Sequence, residues 1–162
     1  MDYIIRPATA KDEPIVWEML RYASHEPSVE FIRNQPNLAC YALNWGRTKD
    51  LGCIAEKNKL PVGMAWLRLW LTETKGYAYV NDEIPELAIA VLPDFRGRGI
   101  GTDLLMQILE MAKAHYPGVS LSVRASNPVL SLYERVGFER VAGSEVINRV
   151  NEVSFTMMLE FR

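Results

Sequence analysis

Between Glu86 and Thr102 the chain reads ELAIAVLPDFRGRGIGT, and this stretch restricts the fold more than any other. Glu86 to Leu92 is a short apolar run ended by Pro93, the pattern of a central strand buried on both faces. Beyond the stretch, Leu104, Leu105, Ile108, Leu109, Met111 and Ala112 recur at helical spacing until Pro117-Gly118 stops them. Strand and helix are thus joined by a loop holding Gly97, Gly99 and Gly101. The first turn of a helix leaves amide groups unpaired and aimed at one place, and the macrodipole favours negative charge there. Glycine lets a ligand approach the backbone closely. Arg96 and Arg98 add positive charge, which a turn that merely needed glycine would leave unexplained. The segment reads as a pyrophosphate site.

Two common phosphate loops do not match. A P-loop requires Lys after its last glycine, and Thr102 follows Gly101. A dinucleotide fingerprint requires GxGxxG at the first strand-to-helix turn of a parallel sheet. Here the third glycine is misplaced and the loop lies in mid-chain, among segments that read as a mixed sheet.

Those segments give the fold class. Tyr3–Arg6 reads as a strand. Thr9 is a cap for a helix from Lys11 to Ala23, and Ser28 starts a shorter helix that Pro36 ends. Leu51–Glu56 and Pro61–Leu71 read as a hairpin turning at Lys57-Asn58-Lys59, and Tyr77–Val80 as an extension of its sheet. Val119–Val123 is a further strand. Asn127 with Pro128 predicts an N-cap and first helical residue, with the helix closing on Gly137. Glu139–Glu145 and Glu152–Phe161 read as a closing antiparallel hairpin. The expectation is an α+β fold: a mixed, mostly antiparallel central sheet of about seven strands with helices on both faces.

Composition narrows the function classes. A chain of 162 residues favours one domain, here residues 1–162. The net charge of −2 gives no basic field for nucleic acid or an anionic membrane. The start has no secretory pattern, and the longest apolar stretch, Val62–Leu71, is broken by Arg68 and too short to span a bilayer. The expected location is cytoplasmic. Cys40 and Cys53 lack CxxC spacing and read as buried or half-buried thiols; with His25 and His115 isolated, no metal is expected.

Residues 86–138 resemble the core of the GNAT superfamily of acetyl-CoA-dependent N-acetyltransferases. The family motif Q/R-x-x-G-x-G/A is met by Arg96, Gly99 and Gly101. At the proper distance follows SNPVLSLYERVGF, with Asn127, Tyr133 and Gly137-Phe138. The resemblance implies that the strand before the loop bulges and splays from the next parallel strand, and that pantetheine lies in the gap. Ile89, Ala90 and Val91 would then offer backbone groups to the acetyl and pantetheine. Arg96, Gly97, Arg98, Gly99, Ile100, Gly101 and Thr102 would hold the pyrophosphate. Asn127 would bond the arm, unless Ser126 takes that place and leaves Asn127 as a cap.

The implied reaction is direct attack of a primary amine on the thioester, since no Cys, Ser or Lys stands in a recognisable nucleophile setting. Glu86, Glu83 or a water is the candidate base, a backbone N–H near Val91 the oxyanion donor, and Tyr133 the acid for the thiolate and a cofactor contact. Ser122 stands where some relatives that acetylate protein N-termini carry Glu, so their base is not transferred here. The family's acceptor site maps to residues 22–37 and 145–151. Within it Tyr22, His25, Glu26, Glu30 and Phe31 suggest a site for a cation. Residues 40–48, with Tyr41 and Trp45, are read as a third helix, a pocket wall or a dimer contact. Dimers are common in the family, and the closing hairpin is a candidate contact. Met64, Trp66 and Trp70 are sheet core or the wall of a pocket for a longer acyl chain. The alternative of another class is an acyl-CoA-binding sensor or scaffold without catalysis.

Overall fold

Asn58 and Lys59 both take positive φ, 52° and 66°, so the turn between the two longest β-rich runs is a tight one of the kind that matches strand twist. It joins β2 (Leu51–Lys57) to β3 (Leu60–Arg68) as an antiparallel hairpin. The computed structural model describes residues 2–71 and 73–162. On this hairpin the rest of the sheet is laid. β1 (Ile4–Pro7) pairs antiparallel with β2, and β4 (Glu86–Val91) antiparallel with β3. β5 (Gly118–Arg124) lies parallel to β4, and β8 (Val153–Glu160) runs antiparallel along all of β5. β6 (Glu139–Arg140) and β7 (Val146–Ile147) both pair with β8. The order is β1-β2-β3-β4-β5-β8-β6, with β7 beside β8, an eight-stranded and mostly antiparallel sheet.

The extra strand arises because the first arm of the closing hairpin is broken. Gly143 takes φ +78°, and the Ser144 hydroxyl donates to the Val141 carbonyl at 2.6 Å, so the chain turns before it rejoins β8. Residues 77–80 form no strand. The Ala78 N–H donates to Glu86 and its carbonyl accepts from Ser120 Oγ at 2.6 Å, so both groups serve side chains instead of a ladder.

Helices cover both faces. α1 (Glu13–Ala23), α2 (Val29–Arg33) and α3 (Pro36–Ala39) bury Trp17, Met19, Leu20 and Ile32 against Met64, Trp66 and Trp70. These last three are sheet core. α1 starts two residues later than expected, because Thr9 and Asp12 form a capping box around a short 3-10 turn. On the opposite face α4 (Ile100–Lys113) and α5 (Leu130–Val136) pack Ile100, Leu104, Leu105, Ile108 and Tyr133 on Cys53, Leu87, Leu121 and Phe155. α5 begins beyond the predicted cap. Asn127 Oδ1 accepts from the Val129 N–H at 2.9 Å, and the Asn127 carbonyl accepts from Leu130 at 3.1 Å, which makes an Asx turn ahead of the helix. It closes on Gly137 at φ +120°, as expected.

Residues 40–50 are fixed from beneath chiefly by one side chain. Arg68, 1% exposed, donates to the carbonyls of Cys40, Leu43 and Asn44 at 2.9, 2.7 and 3.2 Å. Its Nε and Nη2 meet the two Asp50 oxygens, each at 3.1 Å. This region is therefore anchored on β3, and it forms no helix of its own. Cys40 is half-buried and Cys53 buried, and burial pushes their thiols up to about 11 and about 12.

Candidate active site

β4 and β5 touch at one place. Glu86 pairs with Ser120, whose N–H donates to the Pro85 carbonyl at 3.0 Å, and beyond that point the two strands diverge. Leu87, Ala88 and Ile89 on one side and Leu121, Ser122 and Val123 on the other border a cavity of about 430 Å³. A wedge-shaped gap inside a sheet would normally leave amides and carbonyls unpaired, so the direction of each backbone group matters. The Leu92 N–H donates to Val62 on β3 at 2.9 Å. Backbone direction alternates along a strand, so Ala90 and Ala88 also turn their groups to β3. Ile89 and Val91 turn theirs toward the gap. Of the three residues expected to present backbone there, Ile89 and Val91 do so and Ala90 does not. The expected bulge in this strand is also missing: β3 and β4 stay in register from Gly63–Val91 to Arg68–Glu86, and the register shift lies at Ala55/Glu56 in β2.

The glycine loop lies at the open end of the wedge. Arg96 Nε donates to the Val91 carbonyl at 3.0 Å, tying the loop to the end of β4. Gly97 and Gly99 take φ +74° and +86°, the left-handed region where a side chain is strained, and their surroundings are open. The ladder of α4 starts with the Asp103 N–H on the Gly99 carbonyl at 3.0 Å. The amides of Ile100, Gly101 and Thr102 lie ahead of it. Ile100 offers its backbone alone, since its side chain is core. Gly101 is different from the other two glycines: its φ is ordinary and an added Cβ would meet only Val91 Cγ2 at 3.6 Å. Nothing in the fold demands glycine there, and its absent side chain leaves the backbone open to close approach. Arg98 lies 5.8 Å and Lys57 5.9 Å from the Phe95 ring centre, so Lys57 joins the positive loop from the β2–β3 turn. An unpaired helix start, three cations and a gap with free strand amides fit a pyrophosphate followed by an amide-bearing arm.

At the closed end of the wedge is Glu86. It is neither at a solvated strand end nor open to bulk water, being 3% exposed. Its Oε1 accepts from Trp70 Nε1 and from the Ala78 N–H, each at 3.0 Å, and its Oε2 accepts from the Tyr41 hydroxyl at 2.5 Å. Tyr41 in turn accepts from the Tyr77 N–H at 2.8 Å. Burial pushes the carboxyl up to about 7, against the opposing pull of these donors. Glu86, Tyr41 and Tyr77 all line the cavity. Glu83, the other candidate base, is an exposed residue outside the cavity wall.

Tyr133 enters from the opposite face. It lines the cavity from α5, edge-on to Phe138, and burial pushes its hydroxyl up to about 12. Asn127 also lines the cavity, beside Arg124. A carboxylate and a phenol thus reach one cavity from the two faces of the sheet.

The expected acidic acceptor site does not assemble. Of its five residues His25 alone lines the cavity, at φ +59°. Glu26 is paired with Arg149 at 2.9 Å, the Tyr22 hydroxyl accepts from Arg21, and Glu30 and Phe31 face outward. Ser24, His25, Tyr41, Tyr77, Asn148 and Arg149 form this side of the cavity instead. Burial, with Arg124, Arg96 and Arg149 nearby, holds the His25 imidazole below its ordinary value. Tyr41 belongs to the segment read from sequence three ways, a pocket wall among them, whereas Tyr77 and Arg124 carried no site signal, since their place depends on contacts across the fold. Among the described residues no group of three or more His, Cys, Asp or Glu is gathered for a metal, and no helix is long and apolar enough to cross a membrane.

Comparison with known proteins points the same way. The chain is 31% identical over 143 residues to an uncharacterized N-acetyltransferase of Methanocaldococcus jannaschii, covering 85% of this chain and 61% of that relative's length. YncA of Salmonella typhimurium, solved with its cofactor acetyl-CoA, superposes at a TM-score of 0.72 over 100% of this chain and 95% of its own, at 17% identity. The ribosomal-protein-S18-alanine N-acetyltransferase of Escherichia coli superposes at 0.68 over 98% and 94%, at 22% identity. Residues 15–138, which hold most of α1, the splayed strands, the glycine loop and Tyr133, match the acetyltransferase (GNAT) family, and the chain belongs to that family.

Proposed function

We propose that this chain is an enzyme that transfers an acetyl group from acetyl-CoA to a primary amine, by direct attack in a ternary complex. The observation that carries this reading is the single registered pair joining β4 to β5, with the free amides of Ile89 and Val91 on one edge of the gap. Acetyl-CoA supplies an acyl carbon activated by its thioester. The amides of Ile100, Gly101 and Thr102, with Arg96, Arg98 and Lys57, hold its pyrophosphate. Ile89 and Val91 continue the sheet onto its arm, and Asn127 stands at the same wall. The Val91 N–H is placed to stabilise negative charge on the carbonyl oxygen.

The two titratable groups divide the proton work. An amine of pKa near 10 is mostly protonated at neutral pH. Glu86, charged above about 7, accepts its proton on the face covered by α1 to α3. Tyr133 stays protonated and donates to the departing sulfur on the face covered by α4 and α5. The thiolate is desolvated by the same walls, which raises its own basicity toward that of the phenol.

The acceptor site we assign is the side lined by Ser24, His25, Tyr41, Tyr77, Asn148 and Arg149. Calorimetric titration of the folded protein with acetyl-CoA tests the cofactor half: saturable binding is expected, and loss in Gly99→Glu/Gly101→Glu locates it at the loop. A panel of amines read by release of the CoA thiol tests the transfer half. Binding without release for any amine favours the non-catalytic sensor, and no binding by the folded wild type refutes the reading.

A further inference from the structure

We infer that Tyr41 is a catalytic proton relay, standing between the acceptor amine and Glu86. The inference deepens the reading above and rests on it. Every oxygen of Glu86 is already engaged: Oε1 by two donors and Oε2 by the Tyr41 hydroxyl at 2.5 Å, within the range of a charge-assisted O–H···O⁻ bond. Tyr41 uses its proton on Glu86 and one lone pair on the Tyr77 N–H, and its second lone pair is left for a donor from the cavity that it lines. Glu86 Oε2 also keeps a lone pair, so what singles out Tyr41 is that it lines the cavity already joined to the carboxylate by the short bond.

Its placement is costly to arrange, which argues against chance. Tyr41 is 45 residues from Glu86 in sequence and lies in an irregular segment. Arg68 spends three hydrogen bonds on the carbonyls of Cys40, Leu43 and Asn44 to hold that segment, and the Trp66 indole donates to the Tyr41 carbonyl itself at 2.9 Å. The ring is gripped edge-on by Trp70 at 5.1 Å and lies nearly parallel to Tyr77 at 6.5 Å. Its rotation is thereby fixed.

In the step, one proton of the acceptor ammonium passes to Tyr41 Oη as the proton already on Tyr41 passes to Glu86 Oε2, leaving a neutral amine. The N–C bond forms, the C–S bond breaks, the sulfur takes the Tyr133 proton, and the second proton lost by the nitrogen returns to the Tyr133 oxygen. Glu86 ends protonated, and exchange with water restores it. Tyr41 is never ionised, because burial and the neighbouring Glu86 charge hold its hydroxyl well above the ordinary phenol range. The charged and titratable groups around Glu86 are few. The Cys40 thiol, next to Tyr41 in the chain, is near enough to feel the Glu86 charge. Arg68, the cross-strand partner of Glu86, has its guanidinium on Asp50. Ser120 of β5 bonds the Ala78 carbonyl.

The test is the pH profile of CoA thiol release from acetyl-CoA, with the fastest amine of the panel or with water, for wild type, Glu86→Gln, Tyr41→Phe and the double variant. Acetyl-CoA titration verifies that each is folded. Removing Tyr41's hydroxyl also removes a donor that lowers the Glu86 value, so a merely structural role moves the rising limb to higher pH and restores the full rate above it. A relay instead lowers the plateau, by about 100-fold. The double variant is then no slower than either single one. Recovery of the wild-type plateau by Tyr41→Phe, with Glu86→Gln slow, overturns the relay alone. A wild-type rate in Glu86→Gln overturns both the relay and the assignment of the base.

Discussion

Replacing Glu86 with Gln should make the protein more stable at neutral and alkaline pH. The carboxyl moves from 4.5 in the unfolded chain to about 7 in the fold, chiefly because it is buried. The folded state then binds the proton more tightly than the unfolded state. This contribution to stability is fully present below pH 4.5, falls as pH rises to 7 and is flat above it. At about 1.36 kcal/mol per pH unit, holding the charge in the folded chain above pH 7 costs about 3 kcal/mol. Gln has the same shape and never ionises. Its Oε1 can keep the Trp70 and Ala78 donors, while its Nε2 donates to Tyr41, whose hydroxyl then turns to the cavity. Urea unfolding at pH 8 should show the variant more stable by about 3 kcal/mol, a rise in Tm of roughly 6–12 °C for a chain of this size. At pH 5 the difference should shrink to under about 1 kcal/mol. A variant no more stable than wild type at pH 8 would mean that the three donors offset the burial completely. Glu86 would then be an ordinary carboxylate and a poor base for an amine. The expected gain belongs with lost activity, the usual relation where a site holds a strained charge.

Four further variants have expected outcomes. Gly101→Ala should fold at least as well as wild type, gaining up to about 1 kcal/mol of helix propensity, yet bind acetyl-CoA at least about tenfold more weakly by calorimetry. Gly99→Ala should lose about 1–2 kcal/mol of stability because its φ is +86°, so equal behaviour of the two variants would refute the distinction between them. Tyr133→Phe should keep acetyl-CoA binding and lower kcat about 100-fold, and an unchanged kcat would return Tyr133 to the core. Arg68→Met should lose about 3–5 kcal/mol in denaturant unfolding, because it leaves Asp50, 2% exposed at its side chain, without its buried partner; a loss under about 1 kcal/mol would show that this stitch is dispensable.

Local sequence determined a good deal. The strand-loop-helix from Glu86 to Ala112 was legible because three short-range signals coincide there: an apolar run, a proline with glycines, and a 3.6-residue stripe. The β2–β3 hairpin and the Gly137 stop were legible for the same reason, since turn chemistry is a property of neighbours in sequence. Where a side chain intervened, local reading failed. Asn127 looks like an N-cap, but its Oδ1 serves the Val129 N–H and the helix starts later. Residues 77–80 have strand composition, yet Glu86 and Ser120 claim the backbone of Ala78.

The site divides along the same line. The cofactor role we assign to Arg96 through Thr102 rests on backbone geometry that a contiguous motif dictates, so that end of the site was legible in the sequence by itself. The acceptor end had to wait for the tertiary structure. Glu26 and Glu30 sit in the right segment for a cation site, but Arg149, from the loop after β7, neutralises one and the other faces outward. Tyr41 and Tyr77 reach the cavity because Arg68, Trp66 and Trp70 hold them there across the sheet. Whether Glu86 is a surface charge or a buried carboxyl was likewise decided by its distant neighbours, because a pKa responds to burial and to donors brought from far along the chain, which no spacing within a segment records.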